Sequence, residues 1–365
     1  MTFNSKKNRI IFIDLLRAFA VLQMVQGHTV DVLLSNDYRN FDSTIFSIWF
    51  FMRGMTAPIF LFTAGTVFTY LLRLAKEPFL KNHRVKKGIF RFLLLVGLGY
   101  LIRYPTATVV VFSDVTPEQW AIFFTVDVLH LIGFGILFIM LFAFISEKVG
   151  NRDTLIFSLG ALFFFGLWPF IVQISWTNYF PVPIAAYFYE KTGSLFPLFP
   201  WVGYLLCGAM LGSYLAKKPF IFKTTRFSLK LAIMGSLLIF LFAISKIIYN
   251  STQNEVIKYL TDSYGLLSLR VGFVLILNSI VSFVSLKLNS IPKLLVLIGR
   301  NTLSIYVAHL VILFGSAWSP GLILLFDKSL NVWNTTVSAF LMIITMTIMV
   351  VVIHRLKIRN KEIIT

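Results

Sequence analysis

The chain has 365 residues, of which 58% are hydrophobic and 13% charged, and its mean hydropathy is +0.83. A soluble domain carries about a quarter charged residues, so a soluble globular protein is excluded, as are a disordered chain and a disulfide scaffold. The net charge of +18 would suggest nucleic acid in a soluble protein, so its distribution along the chain decides what it means.

A membrane helix needs about 20 mainly apolar residues. Ten runs meet that length, at residues 11–34, 55–74, 89–112, 120–145, 155–176, 196–216, 229–249, 266–286, 294–316 and 332–353. Arg91 and Arg103 interrupt the third, and snorkelling accommodates both. Residues 45–51 form a short apolar piece that either extends the second run or lies at the interface. Residues 155–165 lack the alternation of a barrel strand. The expected fold is therefore all-α, a polytopic transmembrane helical bundle of about ten spans, with residues 1–365 forming one integral-membrane domain.

The cations fall on one side of these spans. That side holds Lys6, Lys7 and Arg9, the stretch from Arg73 to Arg91, Lys148 and Arg152, the stretch from Lys217 to Lys230, Lys287 and Lys293, and the tail from Arg355 to Lys361. The opposite loops hold Asp37, Asp42, Asp114, Glu118, Glu190, Glu255, Asp262 and Asp327. The positive-inside rule places the basic side, and with it both termini, in the cytoplasm of a cell (inner) membrane. The +18 then orients helices and implies no nucleic-acid partner. Asp14 and Arg17 inside the first run, with no A-x-A site after it, read as an uncleaved first helix.

Ionisable groups within a lipid span are costly and point to function. The first helix holds Asp14, Arg17, Gln23, Gln26, His28 and Asp31. Arg17 and His28 are eleven residues apart, so they share a face and stand roughly 16 Å apart along the axis. Asp14 and Asp31 lie at pairing distance from Arg17 and His28. The plain alternative for Asp14 and Arg17 is anchoring at the cytoplasmic interface. In the fourth span Asp127 and His130 share a face, and a carboxylate beside an imidazole fixes its tautomer. In the ninth, Thr302, Tyr306 and His309 share one. His28, Asp127, His130 and His309 fall at similar depth in the outer half, which suggests a shared cavity; interhelical hydrogen bonding is the structural alternative. The sequence has no H-x-x-x-H, so no metal is expected. It also lacks G-x-S-x-G and the phosphate-binding G-x-x-x-x-G-K-[ST] loop. One cysteine, Cys207, allows no intrachain disulfide.

The R-x10-H arrangement of Arg17 and His28 resembles the signature of the acyltransferase-3 family of integral-membrane acyltransferases. The segment from Arg9 to His28 also resembles the start of the heparan-alpha-glucosaminide N-acetyltransferase-like family. Four further stretches resemble that second group in order: Ala57 to Gly65, Asp127 to Gly133, Phe196 to Ala209, and Gly299 to His309. The resemblance implies transfer of an acyl group, usually acetyl, from cytoplasmic acyl-CoA to a hydroxyl or amine, usually of a carbohydrate or glycolipid, across the membrane. On that reading His28 is general base or acyl carrier, with Asp31, Asp127, His130 and His309 as catalytic neighbours. Arg17 with Asp14, and Arg300, Asn301 and Tyr306, are candidate contacts to acyl-CoA or its thioester carbonyl. The rival reading from another class is a proton-coupled secondary transporter of a small polar or anionic solute, using His28, Asp127 and His130.

Overall fold

The computed structural model describes residues 10–109, 111–288 and 292–364. Lys6, Lys7 and Arg9 of the basic side lie outside these residues, as does the Lys361 side chain. Among the described residues the protein is all-helical, with two isolated bridges and no strand. The helices are α1 (Ile11–Leu33), α2 (Thr44–Leu74), α3 (His83–Ile102), α4 (Pro117–Phe123), α5 (Val128–Lys148), α6 (Asp153–Ile171) and α7 (Val182–Ala185). They continue with α8 (Leu198–Lys217), α9 (Thr225–Ser251), α10 (Glu255–Lys287), α11 (Lys293–Arg300), α12 (Thr302–Phe314), α13 (Ile323–Phe326) and α14 (Val332–Ile364).

Each of the ten apolar runs corresponds to a helix or a helix pair. Among the described residues seven helices are long and apolar enough to cross a membrane, and the bent pair α11–α12 makes an eighth if counted as one span. The two remaining runs, α1 and α3, fall short of that test. α1 carries Asp14, Arg17 and Asp31, and α3 starts early enough to include Arg84, Lys86, Lys87 and Arg91. α9 turns Leu229, Ile233, Leu237 and Phe240 outward, each more than half exposed, a face suited to lipid rather than water. The chain is a multi-pass helical membrane protein.

Three expectations are corrected. The third run does not continue to residue 112, because α3 ends at Ile102 shortly before Pro105, and a proline restricts the residue before it. The fourth run is not one helix. α4 ends at Phe123 and α5 starts afresh at Val128, after Asp127 caps it. The ninth bends by 73° between α11 and α12, with Asn301 at the break. Residues 45–51 extend the second helix, one of the two readings considered.

The chain divides into two compact units, one of Leu61–Lys287 and the other of Ile10–Phe60 with Leu288–Thr365. In the second unit α1 is central. Phe12, Leu16, Ala20, Val21 and Val25 are buried on several sides of it, and it packs against α11, α12 and α14. A helix surrounded by protein tolerates polar side chains that a lipid-facing helix would not. The end of α1 is strapped by backbone bonds from Lys328 to Val32, Leu330 to Leu33 and Ser35 to Leu330.

In the first unit α8 is the central helix, with fifteen residues buried. It meets the C-terminal half of α2 backbone to backbone. A Cβ at Gly208 would collide with the Phe62 carbonyl, and one at Gly212 with the Thr66 carbonyl. This is the small-x-x-x-small contact that lets membrane helices approach closely. Gly208→Val is expected to force these helices apart and lower the Tm of the detergent-solubilised protein, by about 1–3 kcal/mol of overpacking or more; an unchanged melt would disprove the contact.

Candidate functional site

The site of interest is built on α1 and α12, both in the second unit. α1 runs unbroken from Ile11 to Leu33, so Arg17 and His28 do lie on one helix at the expected spacing. Opposite them α12 carries Thr302 and His309, seven residues apart. The Arg17 guanidinium donates to Thr302 Oγ1 at 3.4 Å. His28 Nδ1 lies 3.0 Å from His309 Nε2, and the two imidazoles lie nearly parallel, edge to edge, with centroids 5.2 Å apart. The two helices thus run side by side in the same direction, with one contact near each end of the shared face.

The hydrogen bonds fix the tautomers. His309 Nδ1 lies 2.8 Å from the Ile305 carbonyl oxygen, which can only accept, so Nδ1 carries the proton. In a neutral His309, Nε2 is then an acceptor, and His28 must donate to it from Nδ1. His28 Nε2 is left with its lone pair. A helix carbonyl one turn back therefore orients a buried histidine, and that histidine orients a half-buried one. A proton gained at His28 Nε2 can be balanced by passing the shared proton to His309 Nε2. Tyr306 packs its ring edge-on to His309 and Phe314 packs edge-on to His28, so both rings are held from the sides.

Asp31 has another partner than its spacing to His28 suggested. Asp31 accepts from Arg53 Nε at 2.5 Å, and its backbone carbonyl accepts from Arg39. The Asp14 backbone carbonyl lies against Gly299 of α11, which leaves no room there for a Cβ. Arg300 is exposed at the end of α11. Asn301 donates its side-chain amide to the Leu297 carbonyl at 2.8 Å, so the bend between α11 and α12 is capped by it. Tyr306 is buried, at 2% exposure.

Asp127 and His130 belong to the first unit and form the N-cap of α5. His130 Nδ1 accepts from the Asp127 backbone N–H at 3.1 Å, and the Asp127 carboxylate accepts from the Val128 N–H. Asp127 also pairs with Arg103 at 3.3 Å, a partner the sequence did not suggest. Since His130 Nδ1 is an acceptor, its Nε2 carries the proton. The ring lies 4.3 Å from that of Tyr100, against Gly99. This pair satisfies the start of a helix, while His130 Nε2 is buried without a hydrogen-bond partner. Among the described residues no group of three His, Cys, Asp or Glu is placed to hold a metal.

With this geometry in view, the comparison with known families is informative. The family of the heparan-alpha-glucosaminide N-acetyltransferase catalytic domain matches residues 9–247, more than half of the chain. The chain belongs to this family. No curated protein and no solved structure matches it. Members of a heparan-alpha-glucosaminide N-acetyltransferase family are membrane acetyltransferases, which in general draw on acetyl-CoA. The matched segment includes Arg17, His28, Asp31 and the Asp127–His130 cap. It ends within α9, so α12 and His309 lie beyond it.

Proposed function

We propose that the protein transfers an acetyl group from cytoplasmic acetyl-CoA to a hydroxyl or amine of a carbohydrate acceptor on the extracytoplasmic side of a cell membrane, with His28 as general base. The proposal includes ten spans with both termini cytoplasmic, a reading that the charge asymmetry supports. The observation that carries it is the Ile305–His309–His28 chain on a helix face shared with Arg17; a neutral His28 that donates from Nδ1 in this chain carries its basic lone pair on Nε2. The family supports the acetyl chemistry.

The roles follow from the chemistry. Arg17, at the cytoplasmic end of α1, offers a charge to the phosphates or pantetheine arm of the donor. His28 Nε2 removes the proton of the acceptor hydroxyl or amine as its oxygen or nitrogen attacks the thioester carbonyl. The new C–O or C–N bond forms, the C–S bond breaks, and the CoA thiolate leaves and takes up a proton. Tyr306, beside His309, is the candidate donor to the oxyanion.

The test is transfer of labelled acetyl from acetyl-CoA to glucosamine by the protein reconstituted in vesicles. Labelled glucosamine on the side opposite the donor is the expected product; hydroxylamine distinguishes an ester from an amide. Movement of unmodified solute, independent of acetyl-CoA and without acetylation, would overturn the proposal in favour of transport.

A further inference from the structure

Asp31 stands three residues after His28, about 60° round α1 and roughly 4.5 Å along it. Side chains at that spacing reach one another on a helix surface. A free carboxylate there is a rival acceptor for the His28 Nδ1–H. A charged acceptor forms a hydrogen bond about twice as strong as a neutral one such as His309 Nε2. The carboxylate is not free: Arg53 of α2 donates its Nε to Asp31 Oδ2 at 2.5 Å.

Arg53 is itself guided to this position. A Cβ at Gly27, the residue before His28, would stand 3.5 Å from Arg53 Cγ, so the Arg53 stem crosses α1 over bare backbone. Three residues earlier on α2, the Phe50 ring centre lies 5.9 Å from the guanidinium carbon. α12 thus holds the His28 turn through His309, and α2 holds it on an adjacent side through Arg53. All these residues belong to the second unit.

The ending of α1 does not account for Asp31. The last carbonyls of a helix need donors from outside it, and other groups supply them here. Arg39 donates to the carbonyls of Asp31 at 2.7 Å and Leu34 at 2.9 Å. The backbone N–H groups of Lys328 and Leu330 donate to Val32 and Leu33. A carboxylate in a last turn also faces the negative end of the helix dipole. Asp31 therefore stands where the helix disfavours it, one turn from the proposed base. Arg53 offsets its charge directly, and Arg39 and Lys328 act on it through their fields.

We propose that Arg53 is a positioning residue of the His28 site. By occupying Asp31 it keeps that carboxylate off His28, so that His28 Nδ1–H stays on His309. Without Arg53, Asp31 takes the Nδ1–H and draws the ring away from His309. A base displaced by about 1 Å can lose up to a hundredfold in rate. The effect on rate rests on the acetyl-transfer reading above; the effect on the hydrogen bond does not.

The first measurement therefore needs no substrate. It reads the coupling between the two ring nitrogens of the His28–His309 hydrogen bond, by magnetic resonance of the purified full chain with its histidine rings labelled with heavy nitrogen. His28→Gln identifies the signal by losing it. The coupling is expected in wild type and in Arg53→Lys, which keeps a cation for Asp31. It should vanish in Arg53→Met and return when Asp31→Ala is added. Arg53→Gln, which also removes the charge, carries the same comparison where Arg53→Met is not recovered folded. The second measurement is acetyl transfer per folded molecule. Arg53→Met should lower kcat by about tenfold or more with KM for acetyl-CoA unchanged, and Asp31→Ala in the same chain should restore most of that loss. A merely structural ion pair, or a catalytic Asp31, predicts no such recovery. The coupling pattern without acetyl transfer by any form, wild type included, supports the role of Arg53 and sinks the transfer reading instead. Coupling that persists in the charge-free Arg53 variants, or that fails to return with Asp31→Ala, overturns the proposal.

Discussion

His28→Ala is expected to lower acetyl transfer by about 10²–10⁴-fold, the range that a positioned general base supplies. Alanine also strips His309 Nε2 of its partner, and an unsatisfied buried acceptor costs about 1–3 kcal/mol. The informative variant is therefore His28→Gln. Its amide can still donate to His309 Nε2, so the fold is kept, but it has no titratable lone pair. Loss of activity in both, with a normal Tm for His28→Gln, identifies the imidazole as the working group. Activity retained in His28→Gln would sink the assignment. His309→Phe should act through His28. It removes the acceptor that holds His28 Nδ1–H, so Nε2 is no longer the obligatory lone pair. A smaller fall in kcat, about tenfold or more, is expected with KM for acetyl-CoA unchanged, together with a displaced pH profile. A purely structural His309 would lower Tm and leave that profile alone. Labelled acetyl trapped on His28 after rapid quench would instead favour a covalent acyl-histidine over base catalysis.

The parts of this site that were legible in the sequence are those set by one helix. R-x10-H could be placed on a face because α1 runs without a break, and helical spacing then fixes the direction of each side chain. The matching face of α12, with Thr302, Tyr306 and His309, was legible for the same reason. What periodicity could not supply was that these two faces meet. Nor could it supply the tautomer chain, since that depends on the distance between two histidines 281 residues apart in sequence. Hydropathy misled where an apolar run contains a helix start. The residues around Phe123 and Phe124 are apolar enough to hide a break, yet Asp127 followed three residues later by His130 is a capping pattern with histidine in place of Glu or Gln. The capping pattern was visible in the sequence, but the pair was weighed there only as a site or as interhelical glue. Asp31 shows the converse. Its i,i+3 spacing to His28 was suggestive, but the ion pair it is given is with Arg53, whose position on α2 no local pattern reveals.

The buried network around Asp153 went unnoticed in the sequence and yields the second large effect. Asp153 begins α6 and is 1% exposed. It pairs with Arg73 at 2.5 Å and Lys217 at 3.1 Å, and accepts from Ser146 and Ser213 at 2.6 Å each. One carboxylate thus joins the ends of α2, α5, α6 and α8. Both of its oxygens are used, and Arg73 donates in addition to the Ala143 carbonyl at the end of α5. Desolvating these charges is costly, so the pair taken as a whole is no strong source of stability. Removing only the carboxylate is a different matter. Asp153→Ala leaves Arg73, 14% exposed, with an uncompensated charge, and two buried hydroxyls lose their acceptor. Breaking one partner of a buried pair costs about 3–5 kcal/mol, so a large fall in Tm is expected, or failure to recover folded protein. Removing both charges should cost less than removing one: Asp153→Ala with Arg73→Met should melt above Asp153→Ala alone. Lys217→Met, on a half-exposed side chain, should cost about 1 kcal/mol or less. If the double variant melts no higher than the single, the isolated cation is not the source of the loss. In every folded variant acetyl transfer per folded molecule should stay near wild type, because none of these residues belongs to the His28–His309 site. The expected pattern is thus a stability defect at Asp153 without a catalytic one, and the reverse in His28→Gln.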